Sequence, residues 1–154
     1  MSKFRLKEKA IAVDKAFKEA IQIVAKDAVV TFRKNFELQG FVDESLETWK
    51  PRNNQIRQLA SGVSSRFPNT KKTLTKTGAL KRSIRQLTGI SQYKYIIESN
   101  LPYSAIHNYG LRGMAWGRHP FQMPKRKFMG RSARLERMGF NKIQAKVNTA
   151  FKNA

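Results

Sequence analysis

The sequence predicts an α+β domain: a long N-terminal helix and a C-terminal helix packed on a small antiparallel sheet, with a long aromatic and basic loop before the last helix. Three observations carry that expectation. Apolar residues recur at helical spacing near both ends of the chain, β-branched and aromatic residues concentrate in 83–99, and 101–130 is broken by Gly and Pro while staying apolar and basic. At 154 residues and 40% hydrophobic content, the chain is long enough to bury a real core, and a single domain over 1–154 is expected.

From about Ala10 to Phe36, Ile11, Phe17, Ile21, Val24, Ala28, Phe32 and Phe36 fall three or four residues apart with charged residues between them. That spacing predicts one amphipathic helix whose stripe packs on the β-hairpin as core or subunit interface. Gly40 closes the pattern. Phe41 to Phe67 is poorly periodic, broken by Trp49, Pro51, Asn53, Asn54 and Gly62, with room for a short helix at Gln55 to Ala60. In Thr73 to Leu87, Thr77 can cap, Gly78 suits a tight approach, and Leu80, Ile84 and Leu87 share one side.

The run from Ser83 to Ser99 places Ile84, Thr88, Ile90, Tyr93, Tyr95, Ile96 and Ile97 around a turn at Gly89 to Gln92, which predicts two antiparallel strands. Pro102 precedes a short helical stretch, Tyr103 to Tyr109, closed by Gly110. Leu111 to Lys127 is expected to be an irregular loop. Its wider setting, Leu101 to Gly130, holds four glycines, three prolines, five Tyr, Trp or Phe rings and His119, but no acidic residue. An ordered loop of that composition needs a surface to lie against. Ser132 to Ala154 resumes helical spacing through Leu135, Met138, Ile143, Val147 and Phe151, interrupted at Gly139.

The net charge is +21 and is unevenly distributed: residues 1–50 hold 10 basic and 8 acidic residues, residues 51–154 hold 21 and 2. So basic a block repels itself unless an acidic protein or a polyanion meets it. Arg112, Arg118, Lys125, Arg126, Lys127 and Arg131 border the aromatic loop and are expected to make that contact, with an acidic neighbour or with DNA phosphates. A basic nucleic-acid-binding module and a protein interface share this composition, which leaves both open. With no cysteine, disulfides and thiolate chemistry are excluded. No membrane span or signal segment is expected, since no apolar run is long enough and Met1 to Lys9 is charged at short intervals.

No catalytic residue, cofactor site or metal site is expected. His107 and His119 are the only histidines, too few for a zinc or non-haem iron set. Ser104 and His107 lie three apart, but nothing supplies an orienting acid or a nucleophile elbow. Asp43, Glu44 and Glu47 read as a solvated face, and Gly110, Gly113 and Gly117 lack the strand-before, helix-after setting of a phosphate loop.

Three segments together resemble the tailed-phage virion morphogenesis or tail-completion (neck, head–tail joining) proteins. They are W-K-P-R at Trp49 to Arg52, T-K-T-G-A-L-K-R-S-I at Thr75 to Ile84, similar to T-G-x-L-x-x-S-I, and Y-S-A-I-H-N-Y-G at Tyr103 to Gly110 followed by M-P-K-R-K-F-M-G at Met123 to Gly130. Ser104 stands where the pattern has Ala, and R-G-M-A-W-G-R-H from Arg112 to His119, with Trp116 and Arg118, is unusual. The resemblance implies a non-enzymatic virion subunit, assembled in the host cytoplasm as a homo-oligomeric ring at the head–tail junction. Its implied partners are neighbouring neck, connector and tail proteins, with non-specific contact to genomic DNA. It also implies turn positions at Gly78 and Gly110, core positions at Leu80, Ile84 and Ile106, and a loop fixed against the hairpin by Tyr103, His107, Arg126 and Phe128.

Overall fold

The computed structural model describes residues 3–51, 72–87 and 92–154. In chain order its elements are helix α1 (Lys3–Leu38), strands β1 (Gly40–Val42) and β2 (Leu46–Thr48), short helix α2 (Ala79–Ser83), strands β3 (Ile84–Leu87) and β4 (Ile96–Ser99), helix α3 (Ser104–Tyr109), strands β5 (Arg112–Ala115) and β6 (His119–Gln122), and helix α4 (Ala133–Asn153). The strands pair as β1 with β2, β3 with β4 and β5 with β6. The fold is α+β, with long helices at both ends and small antiparallel sheets. The expected helix at Gln55 to Ala60 and most of the expected turn, residues 89–91, lie outside the described residues. Among the described residues no helix is long and apolar enough to cross a membrane.

Packing separates two compact units, one of Met1–Thr31, Arg85–Glu98 and Arg131–Ala154, the other of Phe32–Ile84 and Ser99–Gly130. In the first, α4 runs antiparallel to α1. Lys9 donates to the Phe151 carbonyl at 3.2 Å, Lys146 pairs with Glu19 at 2.9 Å, and Lys142 with Asp27 at 2.5 Å. These exposed pairs set register more than stability. The buried face of this part of α1 is Ala16, Ala20, Ile21, Val24, Ala25 and Ala28.

The packing corrects three expectations. Ile11 is 62% exposed and Phe17 is half-buried, so the stripe shifts onto small alanines. Gly139 does not interrupt α4: the helix runs through it, and a Cβ there would lie 3.0 Å from Val24 Cγ1. Small residues on both helices permit that close approach, which is why periodicity of large apolar residues misplaced the seam. The stripe is also not covered by the hairpin alone, since Val24 meets α4. The β3–β4 segment reaches α1 at the Phe17–Tyr93 ring pair (6.3 Å), the Gln86–Gln22 hydrogen bond (2.8 Å) and the Tyr93 hydroxyl donating to Asp14 (2.6 Å).

The second unit buries Phe32, Phe36, Phe41, Trp49, Leu80, Ile84 and Phe128. Phe36 is its hub, edge-on to Trp49 at 5.4 Å and tilted against Phe128 at 5.2 Å. The left-handed residue ending α1 is Gln39 (φ 55), not Gly40, which opens β1. The amide of Gln39 holds the turn by donating to Phe36 O (2.6 Å) and Thr73 O (3.2 Å) and accepting the Thr73 N–H.

The region from Phe41, expected to lack regular structure, begins with the hairpin β1–β2, in register Gly40↔Thr48, Phe41↔Glu47, Val42↔Leu46. Strands of three residues are too short for their alternation to be read. Before α2, Gly78 takes φ 68 and Thr77 Oγ1 accepts the Ala79 N–H at 3.3 Å, in keeping with their expected turn roles.

Candidate functional site

The site is built by residues 101–130. Leu101 O accepts the Ser104 N–H (3.0 Å), which starts α3 after Pro102, and Ile106 O accepts from both Gly110 (3.0 Å) and Leu111 (3.1 Å). Gly110 ends the helix at φ 69, where an L side chain is strained.

The stretch after α3, expected to be an irregular loop, instead holds two paired strands. Arg112–Ala115 and His119–Gln122 form an antiparallel ribbon in register Arg112↔Gln122, Gly113↔Phe121, Met114↔Pro120, Ala115↔His119. Trp116 (φ 50) and Gly117 (φ 69) make its turn. The residues that argued against a strand are used by this one. A Cβ on Gly113 would lie 2.6 Å from Phe121 Cζ, so the bare glycine gives the cross-strand ring its place. Pro120 is tolerated because a two-stranded ribbon leaves edge positions with no partner to donate to.

The chain returns from β6 as an extended segment along α3. Met123 donates to Leu111 O (3.2 Å) and Arg126 to His107 O (2.8 Å), and a Cβ on Gly110 would lie 2.8 Å from Lys125 N. Beyond Arg126, side chains satisfy the backbone where no strand neighbours it. Trp49 Nε1 donates to Lys127 O (2.7 Å), and Asn108 Oδ1 accepts from Phe128 N (2.9 Å) and Met129 N (3.2 Å). Asn35 Nδ2 donates to Phe128 O (3.0 Å), while its Oδ1 accepts the Val42 N–H (3.3 Å). The Phe128 ring is fully buried on Phe36.

The structure therefore sorts the sequence-selected residues. Trp49, Phe128 and Arg126 come together in one buried cluster, with the Arg126 Nε donating to Lys50 O at 3.2 Å. Leu80 and Ile84 are core, and the Ile84 carbonyl accepts from Arg33 at 2.7 Å. Tyr103 is exposed and stands edge-on to His107, 6.0 Å between ring centres. Ile106, implied to be core, is half-buried; the buried residue of α3 is Asn108. Arg112, Trp116 and Arg118 are exposed on the ribbon.

The expected basic cluster is smaller than the sequence indicated. Arg126 is buried, the Lys127 ammonium sits 3.8 Å over the Phe41 ring, and Arg131 pairs with Glu136 at 2.7 Å. Arg112, Arg118 and Lys125 stay exposed. Two residues that organise the site, Asn35 and Asn108, escaped the sequence reading. The one signal was Asn35 lying on the apolar face of α1, three residues after Phe32, where a buried amide must have partners.

His107 is half-buried, and its Nδ1 has no hydrogen-bond partner among the described residues. Burial holds its imidazole below the usual histidine range, and the Arg126 charge adds to this. A histidine neutral in the fold but protonated when unfolded destabilises the fold as pH falls below the ordinary value of about 6.5 toward the folded one. The melting temperature of wild type should drop over that window, and His107→Phe should lose part of the drop; equal acid sensitivity in the two proteins would remove His107 from the account. No group of three His, Asp or Glu among the described residues could hold a metal ion.

Polar side chains fasten one backbone segment, and an exposed two-stranded ribbon precedes it. Residues 7–148 match the phage virion morphogenesis family, and the chain belongs to that family. Its role is accordingly structural, in phage virion assembly. No curated protein and no solved structure gives a significant match to the chain.

Proposed function

We propose that this chain is a non-enzymatic ring-forming subunit at the head–tail junction of a tailed phage, completing the tail or joining it to the connector. Neighbouring neck, connector and tail proteins are its partners. The family match over residues 7–148 carries this reading. The exposed β5–β6 ribbon supports it, because a two-stranded hairpin is marginal in water by itself and gains from a surface to rest on. Negative-stain imaging of the purified protein should show closed rings. Monomers at every concentration tried would overturn the ring.

The net charge of +21 favours a second reading, a basic module that binds nucleic acid. That reading requires DNA affinity that falls steeply with salt, as released counterions dictate. Tight, sequence-selective binding by a monomer would displace the structural reading in its favour.

A further inference from the structure

The β5–β6 ribbon is exposed along most of its length, with Met114 on one strand and Trp116 at the tip 90% exposed. Trp116 is held in a left-handed turn (φ 50), its ring 6.3 Å from His119. Trp and Arg are the side chains that most often anchor protein interfaces, and here they alternate on one projecting arm. No acidic residue occurs between Ser99 and Leu135, so an acidic surface complements the arm.

Such a surface exists on the chain itself. Of the ten acidic residues in the sequence, Asp43, Glu44 and Glu47 fall within five positions on the β1–β2 hairpin, beside exposed Leu46. No other stretch of the chain concentrates carboxylates so closely, and every position of β2 is exposed. Both hairpins are anchored in the same unit: the Trp49 indole just after β2 donates to the Lys127 carbonyl, and Arg126 donates to the Lys50 carbonyl. Each copy therefore carries both halves of a complementary pair.

We propose that the β5–β6 ribbon of one copy docks on the β1–β2 hairpin of the next, Trp116 against Leu46 and Arg112 and Arg118 against Glu47. A contact between unlike patches is head-to-tail, the kind that closes into a ring when its rotation allows. The inference rests on the ring reading and supplies its interface.

The chain has no cysteine, which makes crosslinking unambiguous. Trp116→Cys and Leu46→Cys, purified separately, mixed and mildly oxidised, should give mainly the mixed disulfide dimer. Arg118→Glu and Glu47→Arg should each weaken self-association about tenfold or more in sedimentation, and the double variant should recover much of it. All four sites are exposed, so the variants should melt with wild type; should a charge variant fail to fold, the cysteine mixture decides.

Rings of normal size in both charge variants with no mixed disulfide would overturn this interface and leave the ring intact. A wild type that never self-associates would overturn both. Rings unchanged by Arg118→Glu while DNA binding is lost would assign the ribbon to nucleic acid and overturn the self-docking.

Discussion

Ile21→Asp should cost roughly 3–5 kcal/mol of stability, the range for a charge buried without a partner. Ile21 is 5% exposed, on the α1 face that carries the buried residues Ala20, Val24, Ala25 and Ala28. A carboxylate there must lose its hydration, take up a proton or push the packing apart, and each route is costly. Domains of this kind hold about 5–15 kcal/mol in total, so much of the fold's stability is at stake. Denaturant titration measures the loss. Ile11→Asp, on the exposed part of the same helix, is the control and should change stability by about 0.5 kcal/mol or less. If Ile21→Asp melts within a degree or two of wild type, the face is open in the isolated subunit and the seam with α4 is wrong.

Asn108→Leu should be nearly as damaging, for a different reason. The side chain is close in size, but the Oδ1 that accepts the N–H groups of Phe128 and Met129 is gone. Each buried donor left unpaired costs about 1–3 kcal/mol, so roughly 2–5 kcal/mol is expected from the pair. The damage should begin locally, with the Phe128 and Met129 amides losing hydrogen-exchange protection before the α1–α4 pair does. Protection unchanged at those two amides would show that Asn108 does not hold the segment.

The fold was most legible in the sequence where a pattern repeats often enough to exceed accident. The helix through Phe17 to Phe36 and the helix from Ser132 declare themselves over many turns, and Gly110 marks the end of α3 because few other residues accept φ 69. It was least legible where structure is short or the contact distant. Three residues of β1 and three of β2 carry too little alternation to recognise, and the glycine and proline of the β5–β6 ribbon read as breakers because their usefulness depends on Phe121 and on an open strand edge. Trp49, Asn108 and Phe128 are far apart in sequence, and nothing local says that an indole and an amide will hold the backbone of residues 127–129.

By itself the sequence determined the α+β class, the two terminal helices, the concentration of basic charge after residue 50 and the resemblance that the family match over residues 7–148 bears out. Those properties arise from composition and from periodicity along one element, which neighbouring residues share. The tertiary structure alone decided which apolar residues meet and which cations are exposed. It put Ala16, Ala20 and Gly139 on the buried faces of their helices, buried Arg126, set Lys127 over Phe41, and left Arg112, Arg118 and Trp116 in the open. Burial and charge exposure depend on contacts between residues tens of positions apart, and a one-dimensional pattern does not encode which of its distant partners will arrive.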